Sequence, residues 1–464
     1  MNNQQATIWQ ALWLTFRYAV PLMFTTGIVT FSNFLGMTMV AHLGILPFAA
    51  SSLGAVIYTG LVCVFWGITT GGSIIVSHQY GAHDIKAIGQ VLGQQINQAV
   101  LLCIPAWLLI ASAPLLLNLL NEPVQLVSQV KLYLYPLFLA MPADFLGFSL
   151  EQFYIGVGKP RYAVLMNTVW LIVAAFFNYV FIFGQFGFPN LALAGVTWGL
   201  TCGLWAMFLC GVVILVVDQD FRPYLRHLSF KSFKWLKALW RVGWPLGVVF
   251  LIEIGCFNAI TLLMSKINIF ALAAYQLTMQ FDFLIISVMF GFSSAVTVLI
   301  GHAIGANEQS RLLKLCFSGA LLALVFASVP AGVIYFHPKW FIALDFKVHA
   351  KQNITIVALS VNFLKIMTAF IVIESFRLLV IGILRGMKKT QCLVYASVIF
   401  LGVSLGFGAY FGLVRHFGAE SILWSFITGS VLSTLLLLTF LFVKMQALFK
   451  EEKTPCTKSI EAPL

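Results

Sequence analysis

Twelve apolar runs, each about 20 to 28 residues long and almost free of charge, dominate the chain, and that length matches a helix crossing a hydrocarbon core about 30 Å thick. Lipid offers the backbone no hydrogen bonds, so only helices or closed barrels can span it. Barrel strands alternate in polarity over about ten residues, and no such alternation occurs here. Charged residues make up 9% of the chain, whereas soluble domains carry about 25%. A chain so poor in charge cannot cover its surface for water. The expected fold is all-α, a polytopic membrane protein of twelve transmembrane helices in two six-helix lobes.

Spans are expected near 14–41, 50–76, 91–120, 131–156, 162–186, 191–217, 239–265, 273–303, 312–336, 355–385, 390–414 and 420–447. They group as an N-lobe (10–217), a linker (218–238), a C-lobe (239–448) and a disordered tail (449–464). Twelve spans place both termini on one side. With this layout nineteen Lys and Arg fall on that side, six on the other, and two, Lys365 and Arg377, within a span. Cytoplasmic loops concentrate Lys and Arg, so both termini are expected in the cytoplasm of a cell (inner or plasma) membrane. The same rule accounts for the formal charge of +12 without a nucleic-acid partner. The basic stretch from Asp218 to Arg241 reads as an amphipathic linker lying on the membrane surface. Asn353-Ile354-Thr355 is a sequon on the outer side. The eight cysteines are scattered, with no C-x-x-C pair, so neither a disulfide frame nor a metal site is expected.

The chain also repeats itself. Residues 77–84, SHQYGAHD, recur as 301–308, GHAIGANE, an offset of 224. Pro21 and Pro245, and Gly67 and Gly291, match at the same offset, while Asp144 and Glu374, and Gly156 and Gly386, match at 230. An even number of spans separates equivalent points. The halves therefore share one orientation, and their pseudo-axis runs along the membrane normal. Two lobes about a cleft suit alternating access by rocking. His78 and His302 read as loop residues with a structural role.

A charge inside a span costs about 2.5–3.5 kcal/mol, so such residues are functional candidates. At about 1.5 Å per residue, Glu253 lies about 18 Å from the cytoplasmic face, Asp282 about 14 Å from the outer face, and Glu374 about 16 Å from the cytoplasm. Asp144 is also near mid-depth. These four and Arg377, three residues after Glu374 on the same helical face, are the expected ion-coupling and substrate-binding residues; the alternative is that Glu374 and Arg377 are a structural pair that fixes helix packing, with Glu253 and Asp282 carrying the titration. Lys365 is expected to reach the outer interface. Glu151 is placed closer to the cytoplasm, with Lys159 or Arg161 as a partner. Pro21 and Pro245 each remove a backbone hydrogen bond and are candidate hinges or gates. No P-loop, G-x-S-x-G or H-E-x-x-H pattern occurs, so neither ATP coupling nor an enzyme is expected.

Several segments carry a family resemblance. They are Met39 to Gly44, Gly156 to Arg161, Asn178 to Gly184 with Gly187 and Pro189, Gly243-Trp244-Pro245-Leu246 with Glu253, and Glu374 with Gly382-Ile383-Leu384-Arg385-Gly386. In this order they resemble the multidrug and toxic compound extrusion (MATE) transporters over nearly all of residues 10–445. The resemblance implies export of small cationic, amphipathic compounds in exchange for inward H⁺ or Na⁺. It further implies that Glu253 and Glu374 are C-lobe coupling acids, while Asp282 stands where a small polar residue is usual. Many bacterial members carry an aspartate in the first helix, where this chain has Gly36. Its absence favours C-lobe coupling and H⁺ over Na⁺. No cofactor and a monomer are expected. The alternative is a flippase for an amphiphilic, anionic lipid-linked substrate, which should line its cleft with Lys and Arg.

Overall fold

The computed structural model describes residues 8–345 and 354–453, apart from His42 and Gly44. The helices are α1 (Ile8–Ala41), α2 (Ile45–Gly81), α3 (Ile85–Leu119), α4 (Val124–Leu134), α5 (Leu137–Gly156), α6 (Pro160–Phe183), α7 (Leu193–Val217), α8 (Arg222–Leu225), α9 (Phe233–Ile267), α10 (Ile269–Gly305), α11 (Gln309–Phe336), α12 (Pro338–Asp345), α13 (Ile354–Gly386), α14 (Gln391–Ala409) and α15 (Ala419–Lys453). No strand occurs among the described residues. Among the described residues, eleven helices are long and apolar enough to cross a membrane, or twelve when α4 and α5 count as one span bent by 43°. The bend falls at Tyr135-Pro136, where proline lacks the N–H needed to continue the helix. Large apolar side chains such as Leu108, Leu119, Leu435 and Phe442 point outward, exposed. That distribution suits lipid as the outer solvent. The chain is a multi-pass membrane protein.

The halves meet chiefly through two crossings, α2 on α9 and α1 on α10, with further contact of α2 on α10. Under the repeat α1 corresponds to α9 and α2 to α10, so each crossing is the image of the other. The matched residues Gly67 and Gly291 sit in these crossings, against Gly247 and against Leu22 and Met23. Pro21 and Pro245 lie inside α1 and α9 beside the same contacts. Small residues that let backbones approach are the usual basis of helix association in lipid.

Some expectations are corrected. The repeated motif is not a loop: α2 runs to Gly81 and α10 to Gly305, so His78 and His302 occupy the last turns of long helices. The turn after α2 is only Ala82 to Asp84, and the Asp84 carboxylate caps α3 through the Ala87 N–H at 2.9 Å. The linker is no single amphipathic helix. It folds as a short turn and α8, and Phe221 is fully buried among Phe153, Tyr154 and Tyr162. The next span begins already at Phe233. The last helix continues through residues 449–453. Asn353 of the sequon and residues 454–464 lie outside the described residues.

Candidate functional site

The ends of α2 and α10 meet at the face of the bundle where α1 begins and α15 ends. The His78 ring Nε2 lies 2.7 Å from the Gly386 carbonyl, and the His302 ring Nε2 lies 2.8 Å from the Gly156 carbonyl. Each bond crosses from one half to the other, and each is the repeat image of its partner. The backbones touch at the same place. A Cβ on Gly81 would sit 2.2 Å from the His302 carbonyl, and one on Gly305 would sit 2.1 Å from the His78 carbonyl. Arg385 ends α13 nearby. It is buried, with its guanidinium 6.0 Å from the Phe250 ring.

Deeper in the C-terminal half, three of the expected residues come together. Arg377 of α13 is 1% exposed, Glu374 3% and Glu253 of α9 8%. Arg377 Nε donates to both oxygens of Glu374 at 3.0 and 2.9 Å, and Nη2 donates to Glu374 Oε1 at 2.5 Å and to Glu253 Oε1 at 2.9 Å. Ser430 of α15 donates to Glu374 Oε2 at 2.8 Å, and Ser397 of α14 donates to Glu253 Oε1 at 3.4 Å. The Phe400 ring lies 4.9 Å from the guanidinium carbon, within cation–π range. Four helices thus converge on one guanidinium. The Glu374–Arg377 contact follows from i, i+3 spacing. The link to Glu253, 124 residues away in sequence, has no local signal, nor do the two serines.

Asp282 of α10 does not join this cluster. It is 1% exposed, and neither carboxylate oxygen has a hydrogen-bond partner among the described residues.

Asp144 is held separately, in the N-terminal half. It is 3% exposed and accepts from the Tyr58 hydroxyl at 2.9 Å and from Trp66 Nε1 at 3.0 Å. Both donors come from α2, and Trp66 stacks on Phe148 one turn beyond Asp144, at 5.3 Å. Neither donor was singled out from sequence. Glu151 is buried and faces Asn167 of α6. Its expected partner Lys159 instead pairs with Asp220 and, at 3.8 Å, with Asp218. The Tyr162 hydroxyl and the Asp220 N–H hold the Asp218 carboxyl below its ordinary range. Gly36 is buried, and the nearest atom to a Cβ there would be the neutral Asn178 amide at 3.9 Å. Lys365 lies on an exposed face with its ammonium 5.9 Å from the Tyr335 ring. No cluster of three metal-ligating side chains occurs among the described residues.

Comparison with known proteins gives a consistent result. The family model MatE matches residues 21–180 and 245–410. A probable multidrug resistance protein, NorM, of Mesorhizobium japonicum is 26% identical over 418 residues, which is 89% of each chain. The corresponding protein of a Synechococcus species is 26% identical over 450 residues, covering 94% of this chain and 95% of its own. The outward-facing structure of a multidrug resistance MATE family transporter of the MOP superfamily superposes with a TM-score of 0.86 at 16% identity, over 97% of this chain and all of the other. At that identity the match speaks for the fold.

Proposed function

Because the matched segments cover well over half of its length, this chain belongs to the MatE family of multi-pass membrane transporters, and from that premise we propose that it is a multidrug efflux antiporter. It exports small cationic, amphipathic compounds from the cytoplasm across a bacterial cell membrane, with both termini inside, in exchange for inward H⁺ rather than Na⁺. The acids of the C-terminal half, Glu253, Asp282 and Glu374, form the coupling region with Arg377. Asp144 is a further buried acid in the N-terminal half. Pro21 and Pro245 lie where the lobes must turn against each other.

The observation that carries this reading is Asp282. A carboxylate without partners inside a membrane-spanning helix is costly to keep. It can bind a proton from one face and release it to the other, the task of a coupling residue. The names of the bacterial relatives support drug efflux. The flippase alternative needs cations free to hold an anion. Arg377 pairs with two carboxylates through Nε and Nη2, which weakens that alternative, although its Nη1 and the Arg385 Nε have no hydrogen-bond partner among the described residues.

The test is transport of a fluorescent organic cation, ethidium, in proteoliposomes with a pH gradient and a Na⁺ gradient imposed separately. Ethidium movement driven by the pH gradient alone is the expected result. No movement under either gradient, from protein shown to be folded, moves the assignment to an anionic amphiphile.

A further inference from the structure

The repeat shows what the C-terminal half has changed. At the offsets that relate the halves, Glu374 corresponds to Asp144, Arg377 to Gly147, Asp282 to Tyr58 and Glu253 to Val29. In the N-terminal half one buried acid is satisfied by two neutral donors, one of them Tyr58. In the C-terminal half a second acid has been added and a guanidinium inserted between the two. The residue that would be the neutral donor has become an acid with both oxygens unpartnered.

This arrangement assigns distinct tasks to the three C-terminal carboxylates. Two buried carboxylates on facing helices, with serine hydroxyls beside them, are a chemical match for a monovalent cation. That place is taken. Arg377 reaches both carboxylates with Nη2, is 1% exposed, and is fixed further by the Phe400 face. An arginine keeps its charge under all ordinary conditions, so it cannot leave by deprotonation. Removing a desolvated guanidinium from a carboxylate partner leaves a buried charge unpaired, which is strongly unfavourable.

We propose that Arg377 is a tethered cation that closes the Glu253–Glu374 pair to Na⁺ and to organic cations, and that Asp282 is the acid left to exchange with the coupling ion. This rests on the antiport reading above and names the residue within it. Two titratable groups interact electrostatically with Asp282, Glu374 on α13 and Tyr275 two turns back on α10, and Glu253 on α9 is held by the arginine that also holds Glu374. Arg377 is a specificity-determining residue that acts through Glu253 and Glu374. It should be separable from Asp282 by experiment.

The measurement is equilibrium binding of radioactive Na⁺ to the purified full-length chain, alongside ethidium transport in proteoliposomes. The wild type is expected to show no saturable Na⁺ binding. Arg377→Gln uncovers two carboxylates and should bind Na⁺ roughly tenfold or more above the wild type. Asp282→Asn should lose pH-driven ethidium transport while its Na⁺ binding stays at the wild-type level. Saturable Na⁺ binding by the wild type that Glu374→Gln abolishes would overturn the proposal. So would folded Arg377→Gln with no Na⁺ binding, or Asp282→Asn with pH-driven transport intact. If Arg377→Gln does not fold, the wild-type Na⁺ measurement and Asp282→Asn still decide. Failure of the wild type to move ethidium under either gradient counts against the antiport reading, while Na⁺ binding continues to test the arginine.

Discussion

Asp144 and Glu374 occupy equivalent places in the two halves and are equally buried, yet they are stabilised by opposite means. Asp144 takes two hydrogen bonds from neutral groups, Tyr58 and Trp66. Glu374 takes a guanidinium and a serine. The difference is set three residues further along each helix, where the N-terminal half has Gly147 and the C-terminal half Arg377. A neutral donor shell keeps a carboxylate in place with a local contact between α2 and α5. An arginine shared by Glu253 and Glu374 ties α9 to α13, and the serines bring in α14 and α15. The N-terminal acid is held by a local contact, and the C-terminal pair by a joint between helices.

The largest effect should come from breaking the joint. Arg377→Met leaves two buried carboxylates unpaired and should destabilise the protein by about 3–5 kcal/mol, read as a drop in thermal unfolding temperature in detergent. Replacing the whole cluster (Glu253→Gln, Arg377→Met, Glu374→Gln) should restore most of that loss, because buried ion pairs exchange for neutral groups at little net cost. A triple variant no more stable than Arg377→Met would mean that packing, and not charge, holds α9 to α13.

The N-terminal acid should be gentler. Trp66→Phe removes one hydrogen bond to Asp144 and should cost about 1.5–3 kcal/mol. Asp144→Asn keeps an acceptor and should cost less than Trp66→Phe. If Trp66→Phe matched Arg377→Met in the same unfolding assay, the contrast between the halves would disappear.

Where the halves agree, effects should agree. His78→Ala and His302→Ala each remove one bond between the halves and should cost about 0.5–1.5 kcal/mol apiece. Each should raise the labelling rate of a cysteine placed at the closed face to a similar extent. A large inequality would show that only one of the two bonds contributes to closure. The smallest effect belongs to Lys159→Met, whose Asp220 partner is 68% exposed. An exposed pair contributes about 0.2–1 kcal/mol, and raised salt should remove even that.

Much of this was legible in the chain. Span lengths and the presence of acids within the spans are properties of local composition, and the shared orientation of the halves follows from repeat spacing, whereas the surroundings of Glu151 were not legible. The i, i+3 pairing of Glu374 with Arg377 is a property of helix geometry. The histidines show the limit. Their motif was visible, yet its polar character suggested a loop, while the helices continue past the apolar stretch because nothing there breaks them.

By itself, then, the amino-acid order determined that the protein lives in lipid, that it is helical, and that it is built twice. Solvent choice and helical period act on each segment alone. Only the tertiary structure decided that Arg377 also holds Glu253, that Tyr58 and Trp66 hold Asp144, that Asp282 is left without partners, and that the histidines bridge the halves. Those outcomes depend on which helix faces meet at a crossing. In lipid, where one apolar face is nearly as good as another, close backbone approach and polar contacts choose the crossing, and both join residues far apart in the chain.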